Sequence, residues 1–101
     1  KWFIPFLLLL ASCAEEHIHQ DGADIFPQAG LNRLLPTVAV TVAMPLLEMN
    51  EIHGTTALWP GSHRDETRVS AEIGDEPLVR EGSCVLWDYR LRHCGTPNRS
   101  A

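Results

Sequence analysis

Short apolar runs bounded by glycine and proline dominate the hydrophobic pattern of this chain. Residues 37–43 alternate, with valines at 38, 40 and 42 on one side, which is typical of a β-strand with two different faces. The runs 54–59 and 83–89 also have strand-forming compositions. The dipeptide of Pro60 and Gly61 suits a type II turn, because proline presets φ and glycine tolerates positive φ. We therefore predict three strands and a tight corner directly after Trp59.

The stretches between these runs carry few helical signals. Residues 62–82 are charged and lack a sustained apolar period, so we expect a long surface excursion of the kind that covers or shapes a site. Residues 32–35 are expected to form one helical turn, and no longer stretch has a strong amphipathic helical pattern. The pattern as a whole predicts an all-β chain.

The first thirteen residues allow two interpretations. Their apolar run of about ten residues is too short to span a bilayer as a helix, which takes about 20 residues. We favour a buried β-strand, and the alternative is a secretory signal or lipid anchor that ends at Cys13. Because the chain starts at Lys1 rather than Met and stops at Ala101 without a closing element, we expect a fragment.

Composition narrows the class of protein. The 101 residues are 45% hydrophobic and 21% charged, which predicts one globular domain over residues 1–101. Eight basic against 13 acidic residues give a net charge of −5, so we expect neither nucleic acid nor a membrane as partner. The three cysteines cannot all pair within the chain and are too few for a disulfide scaffold, which favours a reducing, cytoplasmic location.

Candidate metal ligands occur at His19 and Asp21. In an extended strand, residues two apart share a face, so an imidazole nitrogen and a carboxylate oxygen can meet one ion. His93, at the end of the third strand run and just before a turn-prone segment, is the natural third ligand. Two histidines and one carboxylate leave open positions on Fe(II), although zinc would tolerate the same ligands.

Five motifs in the chain resemble, in the same order, those of the phytanoyl-CoA dioxygenase family. They are HQDG from residue 19, EMNEIHGTT from 48, WPGSHR from 59, GSCVLWD from 82 and HCGTPNRS from 93. The resemblance covers about residues 16–101. It implies a double-stranded β-helix, a jelly roll of the cupin-like kind, truncated at both ends.

The same resemblance implies a function. Members of the family are Fe(II)- and 2-oxoglutarate-dependent dioxygenases, which use O₂ to hydroxylate an unactivated C–H bond of a small organic substrate. His19, Asp21 and His93 match the family's iron triad. The family's arginine that binds the distal carboxylate of 2-oxoglutarate would lie beyond Ala101, so we expect this segment alone to be inactive. Halogenating relatives lack the carboxylate ligand, so Asp21 favours hydroxylation.

Two other classes of protein stay open. His17 and His19 form an H-x-H pair like that of a non-oxygenase, cupin-like metal-binding module, but the glutamate of that motif is absent between Asp21 and Asn32. A lipidated cell-envelope protein is supported only by residues 10–13. The identity of the metal and a dependence on 2-oxoglutarate would separate the oxygenase from the cupin-like module.

Four further polar residues near these motifs receive less specific assignments. We expect His17 outside the metal site and Gln20 on the opposite face of its strand. His63 follows the corner of Pro60 and Gly61 and is expected to stabilise that turn by hydrogen bonding. His53 lies in a polar stretch and is expected to be solvated.

The remaining residues near the motifs are expected to be structural. Trp59 and Trp87 are assigned to the core, because aromatic side chains dominate buried area. Arg90 and Arg92 are assigned to the surface. Cys94 is excluded as a ligand, because adjacent strand residues face opposite ways and His93 faces the metal.

Overall fold

The fold of the described residues is made of short strands and two single-turn helices. The computed structural model describes residues 17–28 and 30–100; the apolar segment 1–13, interpreted as a strand or a signal, lies outside them. The elements in chain order are α1 (Leu31–Leu34), β1 (Val40–Ala43), β2 (Thr56–Leu58), α2 (Arg68–Ala71), β3 (Val85–Asp88) and β4 (His93–Gly95). This composition is compatible with the all-β class. No helix in this part of the chain is long and apolar enough to cross a membrane.

The strands form two antiparallel pairs. In the first pair β1 runs against β3, with Val40 opposite Asp88. In the second pair β2 runs against β4, with Leu58 opposite His93. Isolated bridges extend the second pair on both sides, because His19 also pairs with His93 and Leu58 also pairs with Asp75. The result is a row of four neighbouring segments with β4 and β2 at its centre.

The predicted strand runs are confirmed in position, but each strand is shorter than its run. The β-branched and aromatic residues of β1 and β3 suit the pleated backbone. The two faces of β1 differ, as the alternation predicted: Val40 and Val42 are each 51% exposed, whereas Thr41 and Ala43 are partly buried. Thr41 therefore lies on the inner face of the sheet.

The sequence suggested that the third run extends to His93, but the structure shows a break before this residue. Strand β3 ends at Asp88, and a turn at residues 89–90 separates it from β4. His93 is the first residue of β4, a strand of its own that pairs with β2 rather than with β1. Because β4 is so short, its three residues show no period that separates it from the preceding run.

The corner after Trp59 is confirmed as a turn. The Ser62 amide donates a hydrogen bond to the Trp59 carbonyl at 3.0 Å, and Gly61 has φ of 87°. Positive φ at the third position of the turn is the mark of type II, and it explains why glycine occupies that position. The turn reverses the chain directly after β2.

The excursion over residues 62–82 is mostly exposed, as predicted, but it returns to the sheet. It contains α2, and its backbone bridges to Leu58 at Asp75 and to Met49 at Val79. The predicted helical turn near residue 32 is present as α1. The Trp59 indole N–H donates to the Glu72 carbonyl at 3.0 Å, which fixes the excursion against the end of β2.

The buried apolar cluster lies behind the sheet face that carries His93. Ala57, Trp59 and Cys94 form this cluster, and Val69 of α2 packs against it. Successive strand residues point to opposite faces, so Ala57 and Cys94 face away from His93. The predictions that Trp59 is a core residue and that Cys94 faces away from the metal ligands are confirmed.

Candidate metal centre

The structure brings His19, Asp21 and His93 together as one group. Each offers a ligand atom, and these atoms all lie within 4.8 Å of one another. The Nε2 atom of His93 lies 3.2 Å from Oδ1 of Asp21, and the centroids of the two imidazole rings are 4.5 Å apart. His93 is buried, whereas the side chain of Asp21 is 33% exposed. The group is therefore accessible from one side.

Backbone pairing places the three side chains. The amides of His19 and His93 each donate to the carbonyl of the other residue at 2.9 Å. Two residues further along, the Asp21 amide donates to the Tyr89 carbonyl at 3.0 Å. These bonds hold the extended segment of His19 and Asp21 against the start of β4, so the pair two residues apart meets the histidine distant in sequence.

Both imidazole rings are oriented by a carbonyl of the preceding chain. Nδ1 of His19 lies 2.9 Å from the carbonyl oxygen of His17, and Nδ1 of His93 lies 2.8 Å from that of Leu91. A carbonyl only accepts, so in neutral rings the proton is on Nδ1 and the lone pair is on Nε2. Such bonds are the usual partners of metal-binding histidines, because they fix both tautomer and ring orientation.

Thr41 and Trp87 also lie beside these ligands. The sequence had not singled out Thr41, and Trp87 had been assigned to the core. Oγ1 of Thr41 donates to Oδ2 of Asp21 at 2.5 Å. Trp87, directly opposite Thr41 in the sheet, has its ring 5.1 Å from that of His93. Trp87 is only partly buried and is not a member of the buried apolar cluster, so its assignment to the core is not confirmed. The alternation of residues 37–43 separated Thr41 from the valines, but no sequence signal places it near Asp21.

The chemistry of the three donor groups determines which metal ions they can bind. Two neutral imidazole nitrogens and one carboxylate oxygen on one side of an ion are typical of Fe(II) sites that keep positions open for other ligands. The Nδ1 bonds leave Nε2 of each ring available, and Thr41 leaves Oδ1 of Asp21 available. The three residues therefore fit a divalent metal ion.

The other predicted polar residues lie outside this group. His17 is exposed and contributes its carbonyl, and the Gln20 amide donates to the Gly22 carbonyl at 2.6 Å. His53 is exposed in a turn, as expected. Nδ1 of His63 is buried without a hydrogen-bond partner among the described residues, so the expected bond to its turn is not found through this atom. Burial lowers the pKa of His63.

The assignment of Arg90 to the surface was wrong. Its side chain is only 2% exposed and forms an ion pair with Asp88 at 2.7 Å. The hydrogen bonds that the Arg90 guanidinium donates to the Asp88 carboxylate hold the pKa of Asp88 well below its usual range and raise the pKa of Arg90. Arg92 is partly exposed and pairs with Glu66 at 2.9 Å. Sequence alone gave no sign of this difference, because both arginines flank the same histidine.

Comparison with known families agrees with the site. The family model of phytanoyl-CoA dioxygenase (PhyH) matches residues 11–101, so the chain belongs to this family. The resemblance that the five motifs indicated is thereby confirmed. The family is one of iron- and 2-oxoglutarate-type oxygenases, and the chain carries a group of three residues that could hold a metal ion.

Proposed function

We propose that this protein is an Fe(II)- and 2-oxoglutarate-dependent dioxygenase in which His19, Asp21 and His93 bind the iron. The observation that carries the proposal is the convergence of their ligand atoms to within 4.8 Å in a chain of this family. The carbonyl partners of both Nδ1 atoms support it, because they leave the Nε2 atoms as ligands.

We also propose that residues 1–101 belong to one jelly-roll domain. The row formed by the His19 bridge, β4, β2 and the Asp75 bridge supports this fold, as does the separate pair of β1 and β3. Thr41 and Trp87 reach the metal ligands from the pair of β1 and β3, so the candidate site lies between the two sets of strands. A site enclosed between two sheets is the arrangement that a jelly roll provides.

The proposed reaction hydroxylates an unactivated C–H bond of a small organic molecule. Bound Fe(II) supplies the oxidising chemistry, with O₂ and the decarboxylation of 2-oxoglutarate to succinate and CO₂. The protein orients the two imidazoles and the carboxylate, and buried Leu58, opposite His93, adds an apolar group beside the ligands. Because Asp21 supplies a carboxylate, we propose hydroxylation rather than halogenation.

The partners and location follow the same proposal. They are a small-molecule substrate and O₂, and the net charge of −5 supports the absence of nucleic acid as a partner. Three cysteines that cannot all pair within the chain support a reducing, cytoplasmic location.

Metal binding tests the proposal. We expect His19→Ala, Asp21→Ala and His93→Ala each to abolish tight binding of one Fe(II) under anaerobic conditions. The matched controls His17→Ala and His63→Ala should bind as the wild type does, because neither residue belongs to the ligand group. A larger loss from His17→Ala than from Asp21→Ala would refute the ligand assignment in favour of the cupin-like module.

The cosubstrate gives a second readout. Addition of 2-oxoglutarate to the anaerobic Fe(II) form of the full-length protein should produce a new visible absorption band, since the cosubstrate chelates the metal. A protein that binds zinc tightly and gives no such band with Fe(II) would support a cupin-like metal-binding module instead.

A further inference from the structure

The bond between Thr41 and Asp21 joins side chains of two different strand pairings. Thr41 lies in the middle of β1, which pairs with β3, whereas Asp21 follows the segment that pairs with β4. Their side chains are 20 positions apart in sequence and meet at 2.5 Å. A hydroxyl that donates to a carboxylate at this distance forms a short, charge-assisted hydrogen bond, roughly twice as strong as one between neutral groups.

The two oxygens of Asp21 have different surroundings. Oδ1 lies 3.2 Å from Nε2 of His93, on the side where the other ligand atoms converge. Oδ2 accepts the Thr41 hydroxyl. The backbone amide of Asp21 fixes its main chain through the Tyr89 carbonyl but leaves rotation of the carboxylate free. Besides the contact of Oδ1 with His93, the hydrogen bond from the Thr41 hydroxyl to Oδ2 restrains this rotation.

The strand sequence also marks Thr41. Strand β1 reads Val-Thr-Val-Ala, and Thr41 is its one polar residue. The valines on either side are half exposed, whereas Thr41 is partly buried and directly opposite Trp87. Thr41 is turned inward between outward valines, and its hydroxyl is satisfied by the Asp21 carboxylate.

We propose that Thr41 is a positioning residue for the metal ligand Asp21. Its hydroxyl occupies Oδ2, so that Asp21 binds the metal through Oδ1 alone and leaves positions open for cosubstrate and O₂. This inference rests on the proposed function, because it takes Asp21 as a metal ligand.

The test compares Thr41→Val with Thr41→Ser by Co(II) binding. Valine keeps the shape of the side chain and removes the hydroxyl, whereas serine keeps the hydroxyl. We expect Thr41→Val to weaken Co(II) binding by roughly 10- to 100-fold, the usual range for partners of metal ligands. Thr41→Ser should remain within roughly threefold of the wild type. The visible bands of bound Co(II) should weaken in Thr41→Val, because a second carboxylate oxygen raises the coordination number.

The matched control is Thr67→Val. The Thr67 hydroxyl donates to Oδ1 of Asp65 at 2.7 Å, an exposed bond of the same chemistry outside the metal group. We expect Thr67→Val to bind Co(II) as the wild type does.

The outcomes separate this inference from the proposed function. If Asp21→Ala loses Co(II) while Thr41→Val binds it as tightly as the wild type, Thr41 has no positioning role and the metal site stands. If Asp21→Ala binds as the wild type does, the site itself is wrong and the inference falls with it. If Thr41→Val does not fold, Thr41→Ser decides: a loss as large as that of Asp21→Ala would exclude a role for the hydroxyl.

Discussion

Replacing Arg90 by glutamine should destabilise the protein far more than is usual for an arginine in an ion pair, because Arg90 is buried. The guanidinium donates to both carboxylate oxygens of Asp88, at 2.9 and 2.7 Å. It also donates to the carbonyl of Asn32 in α1 and to those of Leu35 and Pro36 directly after this helix. One buried side chain thus fastens the segment after α1 to the end of β3.

The magnitude follows from the burial of both charges. The side chains of Arg90 and Asp88 are 2% and 7% exposed, and removal of one partner of such a pair costs about 3–5 kcal/mol. Leu35 is partly buried and Pro36 is exposed, so water can replace part of the lost bonding to their carbonyls. We therefore expect the lower end, about 3 kcal/mol, which corresponds to a fall in Tm of roughly 12–24 °C for a domain of this size.

The assay is urea unfolding followed by circular dichroism, with Arg68→Gln as the matched control. Arg68 also pairs with an acidic residue, but its side chain and that of Glu72 are 45% and 48% exposed. A pair of this kind contributes about 0.3–0.5 kcal/mol. Equal losses from Arg90→Gln and Arg68→Gln would refute the reasoning that burial determines the contribution of Arg90.

Two further predictions concern stability. Gly54→Ala should destabilise more than Gly82→Ala: both have positive φ, which costs alanine about 1–2 kcal/mol, but only at Gly54 would the new Cβ meet a backbone oxygen, that of Thr96 at 2.7 Å. Equal unfolding midpoints in urea would contradict this. The hydrogen bonds of Arg90 lower the folded-state pKa of Asp88, so its contribution to stability is complete above about pH 4 and declines as the pH falls through that lower pKa. Asp88→Asn should make the free energy of unfolding depend less on pH in the acid range. Parallel curves of the free energy of unfolding for variant and wild type from about pH 2 to 5 would contradict this prediction.

Local chemistry explains the parts of the fold that the sequence predicted. The turn at Pro60 and Gly61 needs only the fixed φ of proline and the positive φ of glycine, so two adjacent residues specify it. The strand runs carry their own β-branched and aromatic residues. The boundary before β4 was missed, because a three-residue strand is defined by its partner β2 rather than by a period of its own.

The candidate site was likewise predicted only in part: its ligands were found from the sequence, but their neighbours were not. His19 and Asp21 share a strand face because they are two residues apart. His93 was chosen as the third ligand from its place before a turn-prone segment, and the motif resemblance supported that choice. The neighbours of these ligands were predicted poorly: Trp87 was assigned to the core, and Arg90 was assigned to the surface. Each of these residue types occurs in both environments, so composition could not decide between them.

The sequence by itself determined the residue types that can bind a metal, the tight corner after β2 and the family of the chain. Only the tertiary structure decided that His93 pairs with His19, that the hydroxyl of Thr41 meets Asp21 and that Arg90 is buried. Thr41 and Asp21 are 20 positions apart, and the buried Arg90 bonds to the carbonyl of Asn32, which is 58 positions away. Contacts of that range depend on strand register and on the path of the connecting segments, and neither is specified by the side chains of a local window.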